Sequence, residues 1–318
     1  MSASDPVVSA LHEGMRGFLS LVTGIRPDSH RYCARMTGSV ADGEDIVQDT
    51  LARAYYALSE METVPELRPW LFQIAHNRAL DHLRRYERRM SEPLDSVSES
   101  ALSQAGDPEE LLAREQATQA AISRFVELVP AQRSAVILKD VLGHSLSELA
   151  QLMSISESAA KAALHRGRER LQTLSAESSA SGAAHAGNPA AIGKSVIASE
   201  VSPSIARYVA LFNARDWDGV RALLAEDVRL DLVSRAKRNG RSEVASYVGN
   251  YSQLTDWYLA PGVVDGREVV IVFRKRSDGR PSYFIELGFS GGLLSTIKDF
   301  RYVPYILAEA SRLEWSAS

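Results

Sequence analysis

The chain has 318 residues, which is long enough for two or three domains. Its net charge of −4 excludes a uniformly basic nucleic-acid coat, so any DNA binding must come from local patches. Cys33 is the only cysteine, which excludes an intrachain disulfide and a cysteine-based zinc site. Neither a leader peptide nor a run of about 18 apolar residues is found, so we expect a cytoplasmic protein outside the membrane.

The first block, residues 6–91, has the residue pattern of an all-helical domain. Ile46, Leu51, Ala54 and Leu58 lie near one face of a helix predicted over residues 45–58. Pro65 and Pro69 indicate a loop, and a second helix is predicted from Trp70 to Arg89. The last part of this helix is basic, and Trp70 falls on its apolar stripe.

A change in composition follows at residues 92–110, which are acidic and rich in Ser, Gly and Pro. Such a segment buries little apolar surface and is typical of a flexible linker. Helical pattern returns from about residue 108 to residue 174. Pro130 is suited to the first turn of a helix there, and Gly143 is suited to its end.

Residues 145–171 have the pattern of a helix-turn-helix. Ser145 and Glu148 form a capping box, and Ser156 can cap the second helix. One turn residue must adopt a left-handed conformation, which usually favours Gly, and this sequence has Ser154 near that place. The predicted core stripe of the second helix comprises Ala159, Ala160, Ala163, Leu164 and Leu171. Its basic residues, which make DNA binding in a major groove the favoured interpretation over a solvated helical hairpin, are Lys161, His165, Arg166, Arg168 and Arg170.

The last block begins after a second linker that is rich in Ala, Ser and Gly, over residues 176–202. A helical opening over about 205–224 precedes β-rich runs at 228–233, 257–264, 269–273, 282–289 and 293–302. A short helix over about 242–251 interrupts them. The turn signals at 265–266, 278–279 and 291–292 indicate antiparallel hairpins, so we predict an α+β domain with helices packed on a curved sheet.

Two ordered motifs in the first 175 residues resemble bacterial sigma factors of the extracytoplasmic-function group. The segments ADGEDIVQDTLARAY at 41–55 and PWLFQIAHNRALDHLRR at 69–85 closely resemble regions 2.2 to 2.4 of that family. The segment VPAQRSAVILKDVLG at 129–143 and the helix-turn-helix resemble region 4. The resemblance implies a promoter-specificity subunit with RNA polymerase and promoter DNA as partners, and it implies no chemistry, cofactor or metal.

The resemblance assigns roles to individual residues. The face that would dock on polymerase comprises Asp45, Gln48, Asp49 and Arg53, which are spaced three or four apart. The side chains expected to face the −10 promoter element are His76, Asn77, Asp81, Arg84 and Arg85. The loop at 59–68 is the candidate pocket for a flipped base. The residues expected at the −35 element are Glu157, Ser158, Lys161, His165, Arg166 and Arg168.

Residues 203–318 resemble SnoaL-like domains of the nuclear-transport-factor-2-like superfamily, on YVALFNARDWDGVRALLAEDV at 208–228 and the strand order. The resemblance implies a cone-shaped half-barrel with a pocket. No histidine lies beyond His185, which excludes an internal His–Asp pair. The polar candidates for the pocket are Asp231, Tyr247, Asp256, Tyr258 and Tyr283. In sigma factors such an extension implies a regulator that acts in cis, and we expect it to contact regions 2 and 4, with a small-molecule ligand left open.

The predicted organisation is therefore multidomain: region 2 at 1–92, an acidic linker at 93–108, region 4 at 109–175, a second linker at 176–202, and the SnoaL-like domain at 203–318. Two alternatives stay open. One is a ligand-sensing helix-turn-helix regulator that does not bind polymerase. The other is a SnoaL-like enzyme fused to a DNA-binding module, against which the missing histidine and the absent metal-ligand spacing argue.

Overall fold

A computed structural model describes residues 15–61, 63–91, 124–181, 193–194, 202–249, 251, 254–275 and 279–316. The chain divides into two compact units: an all-helical unit with the region 2 and region 4 sequences, and a mixed α/β unit at the carboxyl end. This confirms the predicted fold class. No helix within these ranges has the length and apolar character that a membrane span requires. The predicted acidic linker at 93–108 lies outside the described residues.

The region 2 sequence forms α1 (Met15–Leu21), α2 (Arg26–Thr37), α3 (Val40–Glu60) and α4 (Leu67–Ser91). The Ser39 hydroxyl caps α3 by accepting the Asp42 N–H. All four apolar positions predicted on α3 are buried. Helix α4 begins earlier than expected because Pro69 is accommodated in its first turn, where an N–H has no helical partner. The predicted loop at 59–68 is shorter for this reason and because α3 extends to Glu60.

The region 4 sequence forms α5 (Pro130–Val136), a π-helical turn (Ile137–Val141), α6 (Leu146–Leu152) and α7 (Glu157–Ser181). Gly143 follows the π-helical turn with a φ of 76°. Both halves of the predicted capping box at Ser145 and Glu148 are present. Ser154 has a φ of 55°, so the expected left-handed turn residue is confirmed. The Ser156 hydroxyl accepts the Ala159 N–H at 3.2 Å, as predicted for the cap of the second helix.

Two details of α7 differ from expectation. Ala159 is exposed, because the helix begins at Glu157 with a phase that turns Ala160, Ala163 and Leu164 into the core. The helix also continues to Ser181, past the predicted linker boundary. Gly167 lies where α7 approaches α5 closely: a Cβ at this position would stand 2.7 Å from Cγ2 of Val136. The sequence reading gave no role to this glycine.

The carboxyl-terminal unit is an eight-stranded sheet in the order β1-β8-β4-β5-β6-β7-β2-β3. The predicted strands are confirmed as β2 (Leu224–Leu232), β4 (Tyr258–Val264), β5 (Arg267–Phe273), β6 (Tyr283–Ser290) and β7 (Leu293–Asp299). The sequence reading missed β1 (Gly193–Lys194), β3 (Ala236–Asn239) and β8 (Leu313–Trp315). Strand β1 lies within the predicted second linker and pairs with β8 in parallel.

The α-helices described in this unit are α8 (Pro203–Asn213), α9 (Trp217–Ala222) and α10 (Arg241–Gly249), and a short 3-10 helix covers Ile306–Glu309. The single helix expected over 205–224 is broken at Arg215, which has a φ of 61°. Asp265 and Gly266 both have positive φ, as a tight turn between antiparallel strands requires. Strand β2 pairs with β7 in parallel and with β3 antiparallel, so the sheet is mixed.

Candidate polymerase and DNA interfaces

The predicted polymerase face lies on α3. Asp45 and Arg53 are exposed, and Gln48 and Asp49 are partly buried. The Asp49 carboxylate accepts Nε of Arg53 at 3.1 Å and is also bonded by Nε of Arg78 from α4. Asp49 therefore also holds α3 to α4, a role that the sequence reading did not assign.

A further residue on the same side of α3 escaped the sequence reading. Tyr56 is 67 % exposed and lies three residues after Arg53, so it extends the same helix face. Exposed tyrosines are enriched among the residues that dominate protein interfaces. The helical spacing that grouped the polar residues could have found it, had aromatic side chains been included.

The predicted −10 face lies on α4. Asn77, Arg84 and Arg85 are exposed. Asp81 is partly buried and organises the arginines around it: its carboxylate accepts from Arg84 at 3.3 Å and from Arg78 at 3.1 Å. Nε of Arg85 donates to the Asp81 carbonyl. The hydrogen bonds to Asp81 therefore hold the guanidinium groups of Arg84 and Arg85 in place, and the exposed side-chain amide of Asn77 lies on the same helix.

His76 is the exception: it was expected to face the −10 element, but in this structure its side chain is buried and does not lie on the exposed face of α4. It is 4 % exposed because it shares the apolar stripe of α4 with Phe72, Ala75 and Ala79. Its Nδ1 lies 2.7 Å from the Tyr32 hydroxyl and 3.1 Å from the Ser134 hydroxyl. Burial lowers the pKa of His76 to about 4, which keeps the imidazole neutral near pH 7.

Tyr32, His76 and Ser134 connect the helices of region 2 to those of region 4. Tyr32 belongs to α2, His76 to α4 and Ser134 to α5, and the Tyr32 and Ser134 oxygens are 2.8 Å apart. We call them the Tyr32–His76–Ser134 contact. Tyr32 and Ser134 are fully buried, so each polar group depends on the other two for hydrogen bonds.

A second polar contact lies beside the first. The Arg133 guanidinium donates to the carbonyl of Met36 in α2, and also to the carbonyls of Val126 and Leu128. The Met36 carbonyl is in the last turn of α2, where backbone acceptors lack helical partners. Burial lowers the pKa of Arg133 to about 10, so the side chain stays charged at neutral pH.

The predicted −35 face lies on α7, and its six predicted residues are all exposed. Two are engaged within region 4. The Asp140 carboxylate accepts hydrogen bonds from Nε (2.9 Å) and a terminal nitrogen of Arg168, and these bonds raise the pKa of Arg168. Nδ1 of His165 is 3.1 Å from the Glu169 carboxylate. Lys161 and Arg166 have no ion pair with any residue that the structure describes. They are the cations of this face that are most open to phosphate.

Two small cavities adjoin the loop predicted as the base pocket. One, of about 240 Å³, is lined by Glu66, Arg68 and Pro69 on one side and by Leu142, Gly143, His144, Glu148, Gln151 and Leu152 on the other. The second, of about 220 Å³, lies between Pro65, Trp70 and Gln151, among others. The first helix of the helix-turn-helix thus covers part of this loop. Gln73 reinforces the contact by donating to the Ser154 hydroxyl at 3.3 Å.

Asp299 is the most deeply buried carboxylate among the described residues of the carboxyl-terminal unit, and the sequence reading missed it. It is 1 % exposed, accepts the Tyr251 hydroxyl at 2.6 Å and the Arg301 backbone N–H at 2.9 Å, and has its pKa raised by burial. Of the predicted pocket residues, Tyr283 is buried, and Tyr247 and Tyr258 are partly buried. Asp256 is exposed. Asp231, which is 3.6 Å from Lys237, lines a cavity of about 440 Å³ together with Lys237 and Glu286, so it is a pocket residue as predicted.

Comparison with known proteins fits this division. Residues 21–89 match the family model of sigma-70 region 2, residues 119–171 that of sigma-70 region 4, and residues 205–286 that of the SnoaL-like domain. The ECF RNA polymerase sigma factor SigF of Caulobacter vibrioides is 30 % identical over 169 residues, which cover 52 % of this chain and 86 % of SigF.

The chain belongs to the extracytoplasmic-function (ECF) RNA polymerase sigma factors. The ECF sigma factor SigG of Mycobacterium tuberculosis is 31 % identical over 212 residues, covering 59 % of this chain and 53 % of SigG. The chain therefore spans about half the length of that relative. A crystal structure of M. tuberculosis SigJ, another ECF sigma factor, aligns over 88 % of this chain and 95 % of its own, at 20 % identity and a TM-score of 0.35.

The buried imidazole makes stability depend on pH. Because the pKa of His76 is lowered on folding, the unfolded chain binds the proton first, and stability falls as pH falls from about 6.5 to about 4. The loss is about 3 kcal/mol, on a pKa difference of 2.5 units. We expect urea unfolding of the wild type to lose about this much more stability between pH 7 and pH 4 than unfolding of His76→Gln. Equal losses in the two proteins would contradict a buried neutral His76.

Proposed function

We propose that this ECF sigma factor binds core RNA polymerase and directs it to promoters. Region 2 binds polymerase and the −10 element, and region 4 binds the −35 element. The helix-turn-helix supports this most strongly. Each of α6 and α7 begins with a serine cap, a left-handed residue forms the turn between them, and α7 exposes Lys161 and Arg166 for DNA. The protein acts in the cytoplasm by binding, with no reaction of its own.

The exposed part of α3 supports polymerase as the partner. An acidic and polar helix face with one exposed tyrosine combines charge complementarity for a basic surface with an aromatic group for burial.

The polymerase face is tested by charge reversal. We expect Asp45→Lys combined with Tyr56→Ala to lower the affinity for core polymerase at least tenfold, because a charge pair and an aromatic contact are lost together. The measurement is binding of labelled protein to purified core, with run-off transcription as the functional readout. Asp218→Lys, a reversal at a 93 % exposed carboxylate in the other unit, is the control. Wild-type affinity in the α3 variant would exclude this face as the docking site.

The packing of region 4 on region 2 implies a resting state. Elements at −10 and −35 are about 25 base pairs apart, which is about 85 Å at 3.4 Å per base pair. Regions held by the Tyr32–His76–Ser134 contact cannot span that distance. We propose that the helical unit opens when it binds polymerase and that opening uncovers His76 and the loop at 59–68.

We also propose that the SnoaL-like domain regulates the sigma factor in cis and restrains its activity until a signal arrives. The second linker supports this proposal, because a short tether gives a high effective concentration for any intramolecular contact. A small-molecule ligand for this domain is a further part of the proposal, with the cavity of about 440 Å³ lined by Asp231, Lys237 and Glu286 as the place that would hold it.

The regulatory role is tested with a protease site inserted near residue 200. We expect cleavage to raise run-off transcript yield several-fold at limiting sigma factor, because the restraint becomes intermolecular. The uncut form of the same protein is the matched control. The same protease treatment of the chain without the inserted site controls for cleavage elsewhere. Equal yields from cut and uncut protein would refute regulation in cis.

A further inference from the structure

One end of the sheet domain carries arginines and aromatic rings in alternation. The Arg235 guanidinium lies 4.6 Å from the centre of the Tyr302 ring, and Arg301 lies 5.8 Å from the same ring. Arg301 also lies 4.7 Å from the Trp257 ring, and Arg274 lies 5.9 Å from it. All four distances are within the range of cation–π attraction. We call these five residues the arginine–aromatic surface.

The topology of the sheet brings these residues together from four loops. Tyr258 at the start of β4 pairs with Phe273 at the end of β5, so Trp257 and Arg274 are adjacent. Leu232 at the end of β2 pairs with Asp299 at the end of β7. The residues that follow these two strands, which include Arg235, Arg301 and Tyr302, therefore emerge at one edge. The clustering is thus a consequence of strand register.

The charge of this surface is only partly balanced, because the one acidic side chain that interacts electrostatically with Arg274 and Arg301 in the described structure is the buried Asp299. Arg235, Arg274 and Arg301 have no ion pair with any described residue. The nearby Asp299 carboxylate is buried and already accepts the Tyr251 hydroxyl and the Arg301 N–H. Lys275 and Arg280 are exposed in the adjoining β5–β6 hairpin. Residues 201–318 contain 16 Lys and Arg against 14 Asp and Glu, although the whole chain has a net charge of −4.

The arrangement favours a polyanion over a small anion. Two arginines that contact the same ring lie close together and repel each other. A chain with several phosphates can place a negative charge beside each arginine and so reduce this repulsion at several positions. The rings also hold the planar guanidiniums in place, so less side-chain entropy is lost when each donates to a phosphate. Aromatic and guanidinium planes are surfaces on which unpaired bases stack.

We propose that the arginine–aromatic surface binds single-stranded DNA. Duplex DNA offers the same phosphates but keeps its bases stacked on one another, so its bases cannot stack on the exposed planes of this surface. Promoter opening by a sigma factor generates single-stranded DNA, which gives such a surface a substrate. The inference goes beyond the proposed function, because it concerns the SnoaL-like domain and needs no polymerase.

The test is fluorescence anisotropy of a labelled 20-nucleotide oligo-dT with the full-length chain in the absence of polymerase. We expect the triple variant Arg235→Gln, Arg274→Gln, Arg301→Gln to bind at least tenfold more weakly. The slope of log K against log salt should fall in magnitude by about 2, at about 0.7 for each phosphate contact on a single strand. The matched control is Arg267→Gln, at the other end of β5 and about 20 Å from Arg274 at 3.3 Å per residue. It should change neither quantity.

Several outcomes would overturn the proposal. One is unchanged affinity and salt slope in a triple variant whose circular dichroism and melting match the wild type. Another is equal loss of duplex binding, or competition by polyglutamate as effective as that by oligo-dT at equal charge. If the triple variant fails to fold, the single variant Arg274→Gln, at an exposed position, should still reduce the salt slope.

Photocrosslinking locates the contact directly. With an oligonucleotide that contains 5-bromodeoxyuridine, we expect crosslinked peptides to include Trp257 or Tyr302. Crosslinks confined to residues 1–181 would contradict the assignment of the contact to the sheet domain. Polymerase binding through α3 is measured separately, so failure of this proposal and failure of the proposed function are distinguishable.

Discussion

The Tyr32–His76–Ser134 contact is the constraint on which the helical unit depends. Three polar groups from three helices are buried together in an apolar core, and each would carry a desolvation penalty without the others. Apolar packing tolerates small shifts, whereas these hydrogen bonds require one register of α5 on α2 and α4. The Arg133 guanidinium, bonded to the Met36 carbonyl, fixes the same register from a neighbouring point.

This contact also determines which of the surfaces proposed to bind the promoter are accessible. His76 cannot reach DNA while Ser134 and Tyr32 enclose it, and α6 lines the loop at 59–68. By contrast, the arginines at the end of α4 and the cations of α7 remain exposed. The same packing includes a continuous apolar core that joins region 2 residues such as Phe72 to region 4 residues such as Ile137, so opening exposes apolar surface as well as polar groups. In the opening proposed above, binding to polymerase and DNA supplies the free energy that separates the two regions.

The sequence predicted local structure well and long-range contacts poorly. The capping box at Ser145, the left-handed turn at Ser154 and the apolar stripe of α3 depend on residues close together in the chain, and all three are confirmed. The burial of His76 depends on Ser134, which is 58 residues away, and on Tyr32. The interior role of Asp299 requires the register of β7 against its neighbours. Helical periodicity around His76, shared with Phe72 and Ala79, was the one local sign that it faces inward.

The most direct test of this account is the distance between regions 2 and 4 in solution. Spin labels at Arg88→Cys on α4 and Gln172→Cys on α7 occupy exposed positions, while the native Cys33 is buried and should stay unlabelled. Pulsed dipolar spectroscopy should give one narrow distance distribution for the free protein, and a distribution longer by tens of ångströms with core polymerase and promoter DNA. The same distribution in both states, or a broad one in the free protein, would contradict a closed unit that opens on polymerase.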